Sequence, residues 1–193
     1  LTIGEYAVMI NNEGWLNNNM KSNLTIIELK NYNRKVTYDL PILPSPNLPN
    51  RKSINLYPSL CLFEGTNVSV GRGTEMQFQI YGSPYLNKEK NNFRFTPKKN
   101  SGSKYPKHEN LLCYGKNLSE NKKLDKFDLS FLLDAYSDTN DKQNFFNNYF
   151  DKLAGTNSLK NQIISGLSEK EIIHSWKKKL DIYKEMRMKY LIY

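Results

Sequence analysis

Cysteine and histidine are scarce in this sequence. Among its 193 residues are two cysteines, Cys61 and Cys113, and two histidines, His108 and His174. Neither pair has the short spacing at which metal ligands recur, so we expect no metal site. The cysteines are expected to be small buried apolar side chains, and a single disulfide is the alternative if the protein is exported.

Long apolar runs are absent as well. No stretch approaches the roughly 20 apolar residues of a membrane-spanning helix, so the sequence predicts no membrane span. The chain opens Leu1-Thr2-Ile3-Gly4-Glu5, without an initiator methionine or the basic-then-apolar pattern of a signal peptide. We interpret the sequence as part of a longer protein, whose localisation signal would lie outside it.

Acidic residues are outnumbered by basic ones. The 28 Lys and Arg against 19 Asp and Glu give a formal net charge of +9. The lysines are scattered among asparagines, and neither a basic stripe nor a nucleic-acid motif is present. The composition of an AT-rich coding sequence accounts for this bias, so we expect no nucleic-acid binding. An anionic sugar acid is compatible with the charge.

The aromatic content argues for a folded domain. Apolar residues make up 38% and aromatic residues 12%, too much for a disordered segment. Strand-like and helix-like patterns are mixed with loops over residues 1–125, whereas residues 126–193 have a helical period. The sequence therefore predicts an α+β fold, with a mixed, loop-rich strand region followed by a helical C-terminal third.

Spacing and capping signals predict the individual elements. Helices are expected over residues 1–13, behind Asp128 as an N-cap, over 146–153 before Gly155, and behind the capping box Ser168-x-x-Glu171. The buried stripe of the last helix is expected to be Ile172, Trp176, Leu180 and Tyr183. Strands are expected at 24–29, 78–81, 93–96 and 111–118. The four prolines of 41–49 exclude helix there and favour extended backbone.

Residues 64–74 are the one segment that ordinary folding does not explain. Three glycines are combined there with hydroxyl, amide, carboxylate and guanidinium groups. Thr66, Asn67 and Ser69 can bind sugar hydroxyls or an acetamido group, and Arg72 can bind a carboxylate. A glycine-rich turn between strands is the commoner explanation. The segment completes neither a dinucleotide fingerprint nor a phosphate loop.

Glycosidic hydrolysis is one reaction that a carboxylate in this segment could serve, since it needs a general acid and usually a second carboxylate. Glu64 is the best-placed acid, beside the flexible Gly65, and Glu75 is a second candidate. The alternative for Glu64 is a structural carboxylate that fixes the loop or pairs with Arg72. Asn47, on a proline-stiffened backbone, is either a preorganised hydrogen-bonding group or a simple Asx turn.

Longer segments resemble a known family, the NamZ-type exo-β-N-acetylmuramidases. They are GEYAVMINNEGWL, YDLPILPSPNLPN and LYPSLCLFEGTNVSVGRGTEMQFQIYGSPYL, followed by FFNNYFDKLAGT and SWKKKLDIYKEMRMKYLIY. The match runs in order over nearly the whole chain, and FEGTNVSVGRGT is its most specific part.

The resemblance implies an enzyme that releases terminal non-reducing β-N-acetylmuramic acid from peptidoglycan fragments. It implies no organic cofactor and a periplasmic or secreted location. Family members have a Rossmann-like N-terminal domain that carries the principal catalytic carboxylate. Residues 1–193 would then be the C-terminal domain, with that N-terminal domain absent, and would form one wall of the substrate cleft.

The resemblance also selects site residues. Glu64 is expected to assist catalysis or to fix the loop, Asn67 to bind the acetamido group, and Arg72 to bind the lactyl carboxylate. The expected substrate-binding residues are Asn47, Thr66, Asn67, Ser69, Gly71, Arg72, Gly73 and Thr74. Two other functions stay open: a non-catalytic module that binds muramyl or peptidoglycan fragments, and a structural protein of a degenerate cell-wall system.

Overall fold

The computed structural model describes all 193 residues and contains two compact units. The first unit comprises residues 1–38 and 173–193, and the second comprises residues 39–172. The regular elements, in chain order, are α1 (Ile3–Asn12), α2 (Arg51–Leu60), β1 (Ile80–Ser83), β2 (Phe93–Phe95), β3 (Cys113–Asn117), α3 (Ser130–Asp138), α4 (Phe150–Ala154), α5 (Ser158–Ile164) and α6 (Glu169–Met188). Helices together with a small antiparallel sheet confirm the α+β class.

A buried carboxylate organises the first unit. Glu5 closes a capping box with Thr2 at the start of α1, and Thr2 N donates to Glu5 Oε2 at 2.7 Å. Arg34 pairs with the other carboxylate oxygen, Oε1, which also accepts from Ile192 N at 2.8 Å. Because its side chain is fully buried, Glu5 depends on these donors to replace water. One side chain therefore joins three separate stretches of this unit.

The prediction of a strand at residues 24–29 is wrong. The backbone there forms no regular structure, and Ile27 is 91% exposed. Leu29 N donates to the Tyr193 hydroxyl at 2.6 Å rather than to a neighbouring strand. A β-branched run becomes a strand only where a partner strand can pair with it, and this run has none.

The second unit contains a three-stranded antiparallel sheet in the order β1-β3-β2. β2 and β3 confirm the strands expected at 93–96 and 111–118. The strand expected at 78–81 begins later, at Ile80, because Phe78 has a left-handed φ of 53° that interrupts extended backbone. Gly82 of β1 lies opposite Gly115 of β3, and a Cβ on Gly115 would lie 1.8 Å from the Tyr81 carbonyl oxygen.

The segment that leads to the sheet follows the proline-rich connection. Residues 41–49 form no helix, as expected. Asn50 then begins α2 with a reciprocal capping bond to Ser53, and α2 contains Pro58 in its second half. Directly after α2 the backbone tightens into a 3-10 turn over Cys61–Gly65. This turn positions Glu64.

The helical C-terminal third departs from expectation at three helices. The N-cap expected at Asp128 is wrong: Leu129 is the N-cap of α3, without a side-chain capping bond, and Asp128 Oδ1 accepts from Ser130 N at 2.8 Å just before the helix. The helix expected over 146–153 is shorter, because α4 starts at Phe150, although it ends at left-handed Gly155 as expected. No helix was expected where α5 lies.

The last helix confirms its capping box but not its buried stripe. Ser168 N donates to Glu171 at 2.8 Å, and Glu171 N donates to the Ser168 hydroxyl at 3.4 Å. Of the four stripe residues only Ile172 is fully buried, and Leu180 is 42% exposed. Helical spacing aligns side chains on one face but does not supply a surface to cover them.

The cysteines are both free thiols, with Cys113 buried and Cys61 partly exposed. Burial raises the pKa of both thiols, that of Cys113 to about 12.

Among the helices of this chain, none has the length and apolar character needed to cross a bilayer.

Glu5→Gln is expected to weaken the first unit at neutral pH and to reduce its acid sensitivity. Burial alone would raise the Glu5 pKa, but Arg34 and backbone N–H groups, that of Ile192 foremost, lower it to about 2. The carboxyl of the unfolded chain titrates near its ordinary value of 4.5. The stabilisation by Glu5 is therefore complete above pH 4.5 and is lost as the pH falls towards 2.

Thermal unfolding between pH 2 and 7 measures this effect. The parent protein should lose more stability across the acid window than Glu5→Gln does. Glu28→Gln, which alters an exposed carboxylate of the same unit, should follow the parent curve. Parallel curves for the parent and Glu5→Gln would contradict the assignment.

Candidate functional site

The glycine-rich segment 64–74, called the site loop below, packs on the sheet. Ser69 N donates to the Gly82 carbonyl at 2.8 Å, and Gly82 N donates back to the Ser69 carbonyl at 2.9 Å. The Ser69 hydroxyl accepts from Gly71 N at 3.2 Å. These bonds fix the middle of the loop on β1.

The glycines in the site loop are needed for its backbone conformation. Gly71 and Gly73 have φ values of 78° and 79°, a region that side-chain-bearing residues rarely adopt. A Cβ on Gly73 would lie 2.6 Å from the Lys98 carbonyl oxygen and 2.7 Å from the Pro106 ring. Thr74 closes the turn, since its hydroxyl donates to the Gly71 carbonyl at 2.7 Å. These three predicted site residues therefore shape the loop.

A cavity of about 170 Å³ opens beside the loop. It is comparable to the roughly 150 Å³ that holds a benzene-sized molecule, so it fits a small anion or one substituent of a sugar. Its lining consists of two cationic side chains, one carboxylate, two hydroxyl residues and two valines: Arg72, Lys107, Glu64, Ser69, Tyr105, Val68 and Val70.

Arg72 is held on two sides. Its Nε donates to Glu64 Oε1 at 2.8 Å, and its guanidinium lies over the Phe78 ring, 5.3 Å from the ring centre. Phe78 is fully buried with a positive φ, an arrangement that is rare for a bulky side chain and clusters at functional sites. A guanidinium carries five N–H donors, so the two terminal Nη groups remain for a ligand.

Glu64 adopts the paired geometry that the sequence left as one of two alternatives. Its side chain is 32% exposed and that of Arg72 is 36% exposed. The Glu64 carboxylate thus holds the Arg72 guanidinium at the edge of the cavity. Glu75, the second candidate acid, is exposed and does not line the cavity.

Lys107 lines the cavity and His108 follows it in the chain, and neither was among the site residues expected from the sequence. The Lys107 ammonium donates to the carbonyls of Phe63, Thr66 and Val68 at 3.1, 2.5 and 3.0 Å. Burial lowers the Lys107 pKa to about 8, and the Glu64 carboxylate opposes this shift. No local sequence signal marks such contacts, because they join segments about forty residues apart.

His108 binds the same stretch of backbone. Its Nε2 lies 2.5 Å from the Asn67 carbonyl oxygen. Since a carbonyl only accepts, Nε2 is the protonated nitrogen of the ring. Burial lowers the His108 pKa, the bond to Asn67 opposes this shift, and nearby Lys107 lowers it further.

Besides Gly71, Gly73 and Thr74, three further predicted site residues lie outside the cavity lining. Thr66 bonds within the loop, its hydroxyl donating to the Phe63 carbonyl at 2.9 Å. Asn47 is 6% exposed and donates to the Gly102 carbonyl at 2.7 Å. Both polar side-chain atoms of Asn67 are buried without a partner. Of the nine residues expected at the site, Glu64, Ser69 and Arg72 line the cavity.

No group of three or more His, Cys, Asp or Glu side chains is placed to hold an ion. The fold and the site thus describe an α+β protein with a small, arginine-containing cavity beside a glycine-shaped loop.

Comparison with known proteins places this architecture in a family. The model described as Exo-beta-N-acetylmuramidase NamZ, C-terminal, matches residues 55–193, and its N-terminal counterpart matches residues 1–52. The chain is 34% identical over 220 aligned residues to the Peptidoglycan beta-N-acetylmuramidase NamZ of Bacillus subtilis (strain 168). The chain belongs to the NamZ exo-β-N-acetylmuramidase family. The alignment covers 100% of the chain and 50% of that relative, so the chain spans about half its length.

Two solved structures share the fold, both DUF1343 family proteins from Bacteroides fragilis NCTC 9343. One is 44% identical, with a TM-score of 0.92 over 98% of this chain and 54% of that one. The other is 18% identical, with a TM-score of 0.74 over 98% of this chain and 55% of its own, and shows the fold alone. The assignment of residues 1–193 to a single C-terminal domain stays a prediction.

Gly73→Ala is expected to disturb the site loop, with Gly155→Ala as a matched control. Both glycines have positive φ, but a Cβ on Gly155 meets nothing within 4 Å. Left-handed backbone costs alanine about 1–2 kcal/mol at either position. The contacts with Lys98 and Pro106 should add roughly 1–3 kcal/mol at Gly73 alone.

Denaturant unfolding of the two variants measures that difference. A larger loss of stability in Gly73→Ala supports the close packing of the loop. Equal losses would show that backbone conformation, rather than packing, makes glycine necessary at position 73.

Proposed function

We propose that this chain forms the substrate-cleft half of a glycoside hydrolase that releases terminal non-reducing β-N-acetylmuramic acid from peptidoglycan fragments. The observation that carries the proposal is the fixed Arg72 guanidinium, held by Glu64 and Phe78 with its terminal edge free beside the cavity. The family membership and the name of the Bacillus subtilis relative support the same chemistry.

The carboxylate of the ligand would be the group that Arg72 recognises. N-acetylmuramic acid differs from N-acetylglucosamine by a lactyl ether that ends in a carboxylate. Two cations and one carboxylate line the cavity, so its lining has a net positive charge when Lys107 is protonated. A guanidinium binds a carboxylate through two parallel hydrogen bonds. A neutral sugar would leave that guanidinium edge without its partner, and this difference is the basis of selectivity.

Glu64 acts in this proposal through Arg72. The carboxylate orients the guanidinium, and the principal catalytic carboxylate comes from outside this chain. The family resemblance leads us to propose a Rossmann-like N-terminal domain as its source and as the partner across the cleft. On the same basis we propose a periplasmic or secreted location.

A second candidate function is a module that binds muramyl or peptidoglycan fragments without cleaving them. The cavity lining favours it in one respect, because Glu64 is the only carboxylate there and is already paired with Arg72. Glycosidases usually need two carboxyl groups around the scissile bond. The two functions predict the same ligand and differ in whether the full-length protein hydrolyses it.

Hydrolysis of a chromogenic β-N-acetylmuramide by the full-length gene product separates these functions, with the matching β-N-acetylglucosaminide as control substrate. Selective release of chromophore from the muramide is the expected result. Saturable muramide binding without release would favour the binding module. Neither binding nor release by a folded full-length protein would contradict both.

Arg72→Gln is expected to raise the KM for the muramide by about 30-fold, which corresponds to about 2 kcal/mol of lost ionic binding. Because Arg72 lies at the rim of the cavity, we expect a binding loss at the lower end of the range for charged partners. Arg94→Gln is the matched control, because Arg94 is exposed and stacks on Tyr114 away from the cavity. An unchanged KM in Arg72→Gln would refute carboxylate recognition by this side chain.

A further inference from the structure

Two consecutive side chains bind four backbone carbonyls around the start of the site loop. Lys107 binds those of Phe63, Thr66 and Val68, and His108 binds that of Asn67. The bound stretch, residues 63–68, includes Glu64, which in turn orients Arg72. We call Lys107 and His108 the carbonyl clamp.

The chemistry of the clamp requires an ammonium group. An ammonium has three N–H donors and no acceptor, and all three donors of Lys107 are matched by carbonyl oxygens. A methyl-terminated side chain of similar length would remove this donor from the Thr66 and Val68 carbonyls, which is unfavourable where water is excluded, whereas the Phe63 carbonyl would keep its bonds from Thr66. His108 has a left-handed φ of 60°, so the backbone is strained at the clamp itself.

The charge on Lys107 also belongs to the cavity. The ionisable groups nearest to it are Glu64 and Arg72 on the site loop, with Tyr105 and His108 on its own segment. Burial, with a further contribution from Arg72, lowers the Lys107 pKa to about 8, and Glu64 opposes the shift. At neutral pH most molecules therefore carry this charge, and above pH 8 most do not.

We propose that Lys107 and His108 are positioning residues that hold residues 63–68 in place, and that the Lys107 charge makes anion binding at the cavity weaken at alkaline pH. The second part rests on the proposed function, because it takes the ligand to be a sugar acid. An anion near the ammonium stabilises its protonated form. Binding above pH 8 must therefore be accompanied by proton uptake, so the affinity falls as the pH rises.

Hydrogen–deuterium exchange of the full-length protein tests the positioning role without any ligand. Lys107→Met should lower amide protection over residues 63–74 by about tenfold, the factor expected for losing a hydrogen bond to a charged group. Helix α5 should keep its protection and so report an intact fold. Lys104→Met, which changes an exposed lysine of the same segment, should match the parent protein.

His108 variants test the second half of the clamp. His108→Gln can keep an N–H donor near the Asn67 carbonyl, whereas His108→Ala cannot. Protection over residues 63–74 should be largely retained in the first variant and reduced in the second. Unchanged protection in both Lys107→Met and His108→Ala would overturn the positioning role.

The pH dependence of KM for the chromogenic muramide tests the charge. The KM of the parent protein should rise by about tenfold between pH 7 and 9.5, the effect of removing one nearby charge. Lys107→Arg keeps its charge over this range, so its KM should stay level, and that of Lys104→Met should follow the parent. A parent-like alkaline rise in Lys107→Arg would overturn this part. Hydrogen–deuterium exchange does not require the protein to hydrolyse the muramide. The test of the positioning role is therefore independent of the proposed activity.

Discussion

Two backbone hydrogen bonds between Ser69 and Gly82 attach the site loop to the sheet, and the candidate site depends on them. The sheet itself requires the glycine pair Gly82 and Gly115, since a Cβ on Gly115 would overlap the Tyr81 carbonyl oxygen. Phe78 lies just before β1, where its ring supports the Arg72 guanidinium. The close approach of the β1 and β3 backbones at this glycine pair is therefore the primary constraint, and the position of the Arg72 side chain depends on it.

The site combines two kinds of restraint on one short stretch of chain. Glycine turns shape the site loop from within, whereas the carbonyl clamp binds residues 63–68 from a distant segment. Glu64 lies within the clamped stretch and pairs with Arg72. Such preorganisation reduces the ordering needed when a ligand binds, and it explains how a half-exposed ion pair can keep one orientation.

Sequence patterns predicted the elements whose signals are local. The capping box at Ser168 and the helix end at Gly155 depend on neighbouring residues, and both were confirmed. The strands β2 and β3 were also confirmed, and each has a partner strand in the sheet. The strand at 24–29 and the buried stripe of α6 failed because both need a facing partner that a linear pattern does not contain. The glycine-rich segment predicted the position of the cavity, whereas Lys107 reaches the cavity lining, and His108 the Asn67 carbonyl, only through folding. Asn47 was expected at the site, yet its amide is buried against Gly102.

The central claim is that the free edge of Arg72 binds the carboxylate of a muramyl sugar. A crystal structure of the full-length protein with N-acetylmuramic acid tests it most directly. The account predicts the lactyl carboxylate in the cavity, with its oxygens at about 3 Å from the Arg72 Nη atoms and the Glu64 pair intact. A sugar bound with its carboxylate away from Arg72, or bound elsewhere with this cavity unused, would contradict the account.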